Sequence, residues 1–135
     1  IPALNLLWDP GKPGDSLALR VKVDLPQGWY INSHAPLDSF LVPTRLEASA
    51  PGLAFGFPRW PKPIVEHSDA MAGDMSLFKQ DFEAVIKAAP PASAGPAGKA
   101  PPVRVTLHYQ SCDGTMCWPP KAVSAVLRDG LTFSE

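Results

Sequence analysis

Residues 103–127 read VRVTLHYQSCDGTMCWPPKAVSAVL, and this stretch predicts most about the fold. Its first seven residues alternate apolar and polar side chains, which is the pattern of a half-buried strand. Residues 122–127 are predicted to form the return strand of a hairpin. Cys112 and Cys117 lie in the connection between the two strands, where a rigid scaffold presents exposed side chains.

The rest of the chain extends this all-β pattern. Residues 16–25 alternate, and shorter strands are predicted at 29–31, 44–48 and 53–57. Residues 78–86 fit helical or strand spacing, and the surrounding pattern favours a strand. The chain has 17 prolines, which break helices and mark turns. Short strands with frequent turns predict a β-sandwich with the cysteine pair on a late hairpin.

Composition limits the domain count and the partners. The 135 residues are predicted to form one domain, 1–135, with the Ala/Pro/Gly-rich stretch 88–102 as a mobile loop. The net charge of −1 and the lack of a basic run argue against nucleic acid. No apolar run is long enough to span a membrane, and no secretory signal is recognisable. We expect a mature or trimmed chain; a removed leader or a following membrane domain stays open.

Cys112 and Cys117 are the only cysteines. A disulfide between them would close a ring of about six residues, for which chain entropy gives only roughly 2 kcal/mol of stability. Such a small ring stabilises little and suits exchange chemistry. A structural staple in a turn remains the simpler alternative.

Other cysteine chemistry is less well supported by the residues. A structural zinc site needs four ligands, and no second cysteine pair exists. Copper(I) fits better, because Met71, Met75 and Met116 would add thioether ligands to the thiols, although Met75 is more typical of a core position. A cysteine hydrolase would use a single cysteine with a base such as His108.

Four blocks of the sequence resemble one family, the N-terminal periplasmic domain of the bacterial thiol:disulfide interchange protein DsbD. They are GWYINSHAPLD (28–38), LVPT (41–44), YQSC (109–112) and CWPPK (117–121). The resemblance implies an immunoglobulin-like sandwich whose hairpin carries a redox-active cysteine pair. It also implies that Cys117 forms the mixed disulfides and that Cys112 resolves them.

The resemblance implies surroundings for the cysteines as well. A cap segment, residues 68–73, would cover them, with Met71 where the family often has phenylalanine. Asp69 would be an acidic residue near the thiols, and such a carboxylate raises a thiol pKa. Tyr30 matches a family aromatic beside the cysteines, while Tyr109 and Trp118 flank them in the two motifs.

Together these expectations predict a periplasmic thiol-disulfide oxidoreductase domain that needs no cofactor beyond its own cysteines. By resemblance, a membrane domain of the full-length protein would supply electrons through a thioredoxin-like C-terminal domain. The acceptors would be thioredoxin-fold proteins that isomerise disulfides or serve cytochrome c maturation, and the full-length protein would be tethered to the inner membrane. A copper(I)-binding module and a passive immunoglobulin-like interaction domain are the alternatives.

Overall fold

A computed structural model describes residues 1–9, 17–69, 73–89, 101–113 and 116–135. These residues form strands and turns, with no helix among them, and so no helix in the described part of the chain could cross a membrane. The strands are β1 (Ala3–Asp9), β2 (Leu17–Asp24), β3 (Tyr30–Asn32), β4 (Arg45–Ser49), β5 (Ala54–Phe55), β6 (Ile64–Ser68), β7 (Gly73–Phe78), β8 (Phe82–Ala89), β9 (Val103–Tyr109), β10 (Ser111–Cys112), β11 (Lys121–Arg128) and β12 (Leu131–Ser134).

The strands form three four-stranded antiparallel sheets. The first has the order β1-β2-β8-β5, and the second has the order β12-β11-β9-β4. The third, with the order β10-β3-β7-β6, carries the cysteines and is called the site sheet below. Inward side chains of the first and second sheets meet in one apolar core, as in an immunoglobulin-like β-sandwich. The predicted fold class is therefore confirmed.

Alternation in β2 and β9 builds the two facing walls of this core. Every second residue of each strand is buried, from Leu17 to Val23 and from Val103 to Tyr109. β9 pairs with β11 in a register that sets Val103 opposite Leu127, which confirms the predicted return strand. The hairpin is thus anchored in the buried core of the sandwich, and its end projects from a rigid base.

Most strands predicted from the sequence occur, with shifted ends. β2, β3, β4, β5 and β9 fall on the predicted segments, and residues 82–89 form a strand rather than a helix. The sequence pattern did not predict β1, β6, β7, β10 or β12. The stretch 88–102 begins inside β8, at Ala88 and Ala89. Because residues 90–100 lie outside the described residues, the mobile loop stays a prediction.

The apolar core between the first and second sheets is called the main core below. β7 connects the site sheet to this main core because both of its faces are buried. Met75 and Leu77 pack with Cys112 in a small cluster on one face. Phe78 belongs to the main core on the other side. This consecutive burial removes the alternation by which a half-buried strand is recognised in a sequence.

His34 lies in an aromatic stack with Trp60 and Phe78. Its ring centroid is 5.3 Å from that of Trp60 and 6.0 Å from that of Phe78. The Nδ1 atom is buried and has no hydrogen-bond partner among the described residues. Burial among these rings lowers the pKa of His34, because the charged form loses water without gaining a partner.

We expect His34 to make stability depend on pH. Because its folded-state pKa is lowered, the unfolded chain takes up a proton near pH 6.5 that the folded chain resists. Stability should therefore fall as pH decreases below about 6.5, and a His34→Phe variant should lose less over that interval. Urea melts of both proteins at about pH 7.5 and 5.5 measure the difference. An equal loss in both would contradict this role.

Candidate functional site

Cys112 and Cys117 are joined by a disulfide across the end of the hairpin. The two residues are directly opposite in an antiparallel bridge, with their Cα atoms 4.0 Å apart. Hydrogen bonds close the chain on either side of them: Asp113 N donates to Met116 O, and Trp118 N donates to Ser111 O. The cysteines thus occupy a non-hydrogen-bonded pair, the position at which opposite side chains come closest.

The two cysteines differ in exposure. Cys112 is 1% exposed and packs with Met75 and Leu77, whereas Cys117 is half-buried at the edge of that cluster. Tyr30 also packs against the cluster. An incoming thiolate must reach a sulfur along the axis of the bond that breaks, so exchange depends on access. The geometry favours attack at Cys117.

Gln110 holds the base of the hairpin through its side chain. Its Oε1 accepts hydrogen bonds from Asn32 Nδ2 at 3.0 Å and from Val42 N at 3.3 Å. Its Nε2 donates to Trp118 O at 3.3 Å. One amide therefore joins the segments before and after the cysteines to β3. Gln110 belongs to the YQSC block, but its position in the sequence alone did not predict this role.

Two of the predicted aromatic neighbours lie at the hairpin. Tyr30 is the pairing partner of Cys112. Trp118 follows Cys117 and lies with its ring centroid 4.6 Å from that of Trp29. Tyr109, by contrast, is 3% exposed and belongs to the main core, where burial raises its pKa. Tyr109 and Trp118 also line a groove of about 120 Å³ beside Ser111.

A cleft of about 660 Å³ opens beside the cysteine hairpin, and we call it the hairpin cleft. Its floor includes Met75 and Leu77, the residues beneath Cys112. Its walls combine aromatic and charged side chains: Trp29, Tyr30, Glu66, His67, Asp69, Lys79 and Asp113. The cleft thus places ionisable groups beside the cysteine hairpin.

The predicted cap segment is described only at its two ends. Ser68 pairs with Gly73 where β6 meets β7, and Ser68 and Asp69 line the hairpin cleft. Asp69 Oδ1 lies 3.0 Å from His67 Nε2, and its side chain is fully exposed. Met71 lies outside the described residues, so its covering role stays a prediction.

Among the described residues, no group of three or more His, Cys, Asp or Glu side chains is arranged to hold a metal ion. Of the methionines considered as copper(I) ligands, Met75 is buried beneath Cys112, and Met116 is 54% exposed on the hairpin. In the disulfide-bonded state neither cysteine offers a thiolate. A copper site would require the reduced pair.

A β-sandwich with a buried and a half-buried cysteine joined across one hairpin has the layout that thiol-disulfide exchange requires, one accessible sulfur and one sheltered partner. Residues 6–128 match the family described as "Thiol:disulfide interchange protein DsbD, N-terminal". The chain belongs to that family, which makes it a member of the thiol-disulfide oxidoreductases.

Two solved structures share the fold. The reduced N-terminal domain of Neisseria meningitidis DsbD superposes with a TM-score of 0.61 at 15% identity, covering 98% of this chain and 90% of that one. The N-terminal periplasmic domain of ScsB from Proteus mirabilis gives a TM-score of 0.51 at 13% identity, covering 91% of this chain and 45% of that one. No match was found among curated proteins.

Proposed function

We propose that this domain is a periplasmic relay that passes reducing equivalents from a membrane electron-transfer partner to thioredoxin-fold proteins. The observation that carries the proposal is the Cys112–Cys117 disulfide, with one buried and one half-buried sulfur beside the hairpin cleft. A relay needs a couple that both gives and takes electrons readily. A small ring, stabilised by only roughly 2 kcal/mol of chain entropy, suits that task.

Cys117 acts first when the reduced domain delivers electrons. Its thiolate attacks one sulfur of the partner's disulfide, which forms a mixed disulfide and releases the partner's other sulfur as a thiolate. Cys112 then loses its proton and attacks the Cys117 sulfur. This second step re-forms the Cys112–Cys117 bond and releases the partner's remaining thiolate. The partner gains two electrons and takes up two protons, and the domain is left oxidised.

The same two steps in reverse reload the domain. A thiolate of the donor attacks Cys117 Sγ, Cys112 leaves as a thiolate, and the donor's second thiol resolves the mixed disulfide. Cys112 is the sulfur that leaves because the attack falls on the more exposed Cys117, whereas Cys112 is 1% exposed. The donor we propose is a thioredoxin-like C-terminal domain, supplied by a membrane domain of the full-length protein.

The acceptors we propose are disulfide isomerases or cytochrome c maturation proteins of the thioredoxin fold. The periplasmic location rests on family membership and on the Proteus mirabilis relative, which is described as periplasmic. Inner-membrane tethering in the full-length protein and the cap role of Met71 belong to the same proposal. Asp69, at the lip of the hairpin cleft, is proposed to raise the pKa of a reduced thiol.

An equilibrium redox titration in glutathione buffers tests the proposal. We expect a reversible two-electron couple between roughly −120 and −270 mV, the range of exchange proteins. A potential below about −300 mV would identify an inert staple and overturn the relay. Titration of the reduced domain with copper(I) in a buffer free of glutathione distinguishes the metal-binding alternative, since metal bound to the thiolates would block re-formation of the disulfide.

A further inference from the structure

Four residues lie in one row across the site sheet. Cys112 is paired with Cys117 on one side and with Tyr30 on the other. The register of β3 and β7, continued by one residue, sets Tyr30 opposite Lys79. Directly opposite residues of antiparallel strands project from the same face. The row therefore places an ammonium group, an aromatic ring and two sulfurs side by side.

Side-chain contacts run along this row. Lys79 Nζ lies 5.5 Å from the centroid of the Tyr30 ring, within the range of a cation–π interaction. The same nitrogen is 2.9 and 2.8 Å from the two carboxylate oxygens of Glu66. The Tyr30 ring in turn packs against the cluster that contains the cysteines. Glu66, Lys79 and Tyr30 form one wall of the hairpin cleft.

The Glu66–Lys79 pair is too exposed to contribute much to stability. The two side chains are 47% and 34% exposed, and ion pairs at such positions are weak. The pair instead fixes the position of the Lys79 ammonium group. Glu66 holds one end of the contact and the Tyr30 ring the other, so the ammonium group is fixed above the ring.

We propose that Lys79, anchored by Glu66, is a positioning residue for disulfide exchange. It holds the Tyr30 ring against the cysteine pair and so limits access to Cys117 Sγ. This inference rests on the proposed function. It adds a control of access to Cys117 Sγ by residues of the site sheet. The exchange steps described above involve only the cysteines and give neither Lys79 nor Glu66 a role.

A second effect of Lys79 must be separated from positioning. A positive charge near a thiolate stabilises it and lowers the thiol pKa. Loss of Lys79 would then slow the reaction at neutral pH even while opening access. A pH profile separates the two effects: the midpoint gives the thiol pKa, and the limiting rate at high pH reports access once it is corrected for the dependence of thiolate nucleophilicity on that pKa.

The experiment measures alkylation of the reduced protein by iodoacetamide across pH, with the label at Cys117 quantified by peptide mass. Lys79→Met should raise the limiting rate about two- to five-fold, the factor expected from losing an exposed cation–π contact. Lys79→Arg should stay at the wild-type rate, because a guanidinium also packs on an aromatic face. Lys87→Met, which removes an exposed lysine from β8, serves as the matched control and should leave the rate unchanged.

Glu66→Gln should act in the same direction as Lys79→Met, and the double variant should add little to the larger single effect. An unchanged or lower limiting rate in Lys79→Met would overturn the proposal, as would an Arg variant as fast as the Met variant. Alkylation requires no redox partner. The alkylation rates therefore test the positioning role of Lys79 alone. The redox titration tests the relay separately, so failure of one can be told from failure of the other.

Discussion

A Cys112→Ala variant is expected to trap a mixed disulfide with a thioredoxin-fold protein, and Cys117→Ala is expected to trap on the order of ten-fold less. The reason is access. Cys112 is 1% exposed and lies over Met75 and Leu77, whereas Cys117 is half-buried at the edge of the cluster. Without Cys112 to resolve it, the mixed disulfide that the Cys117 thiolate forms with the partner protein persists.

A partner with one cysteine, activated as its thionitrobenzoate adduct, gives this experiment a clean readout. The attacking thiolate displaces the thionitrobenzoate anion, whose absorbance reports the rate, and a non-reducing gel reports the product. The Cys112→Ala, Cys117→Ala double variant measures the background, and denaturant melts confirm that each variant is folded. Equal rates for the two single variants would reverse the assignment of roles without removing the exchange activity.

The fold could be predicted where one face of a strand is buried. β2 and β9 alternate because one side faces the main core and the other faces water. The site sheet violates that condition. β7 is buried on both faces from Met75 to Phe78, and β6 is exposed along most of its length, so neither strand alternates. The sequence pattern is therefore least informative in the sheet that carries the chemistry.

The candidate site could be predicted where its members are close in the sequence. Cys112, Cys117 and Trp118 lie within one short block, and they also lie together in space. Lys79 and Glu66 could not be found in this way. Their connection to the cysteines runs through the Tyr30 ring and depends on the registers of β3, β6 and β7, which only the assembled sheet defines.

Phe78 and Phe57 are the same residue type but differ strongly in the exposure of their side chains. Phe78 is 4% exposed and stacks with Phe82 at a centroid distance of 4.3 Å in the main core, whereas Phe57 is 99% exposed. We expect Phe78→Ala to reduce the free energy of unfolding by about 3–5 kcal/mol, because it removes a buried ring and leaves a cavity. Phe57→Ala should change it by less than about 0.5 kcal/mol.

Urea melts of the oxidised variants measure both changes with the same residue type and the same substitution, so the difference between them reports burial alone. For a domain of this size the larger loss removes a substantial share of the total stability. A loss below about 1 kcal/mol at Phe78 would mean that β7 does not join the site sheet to the main core. The hairpin would then lack its connection to the sandwich, and the position of Met75 and Leu77 beneath Cys112 would have to be reconsidered.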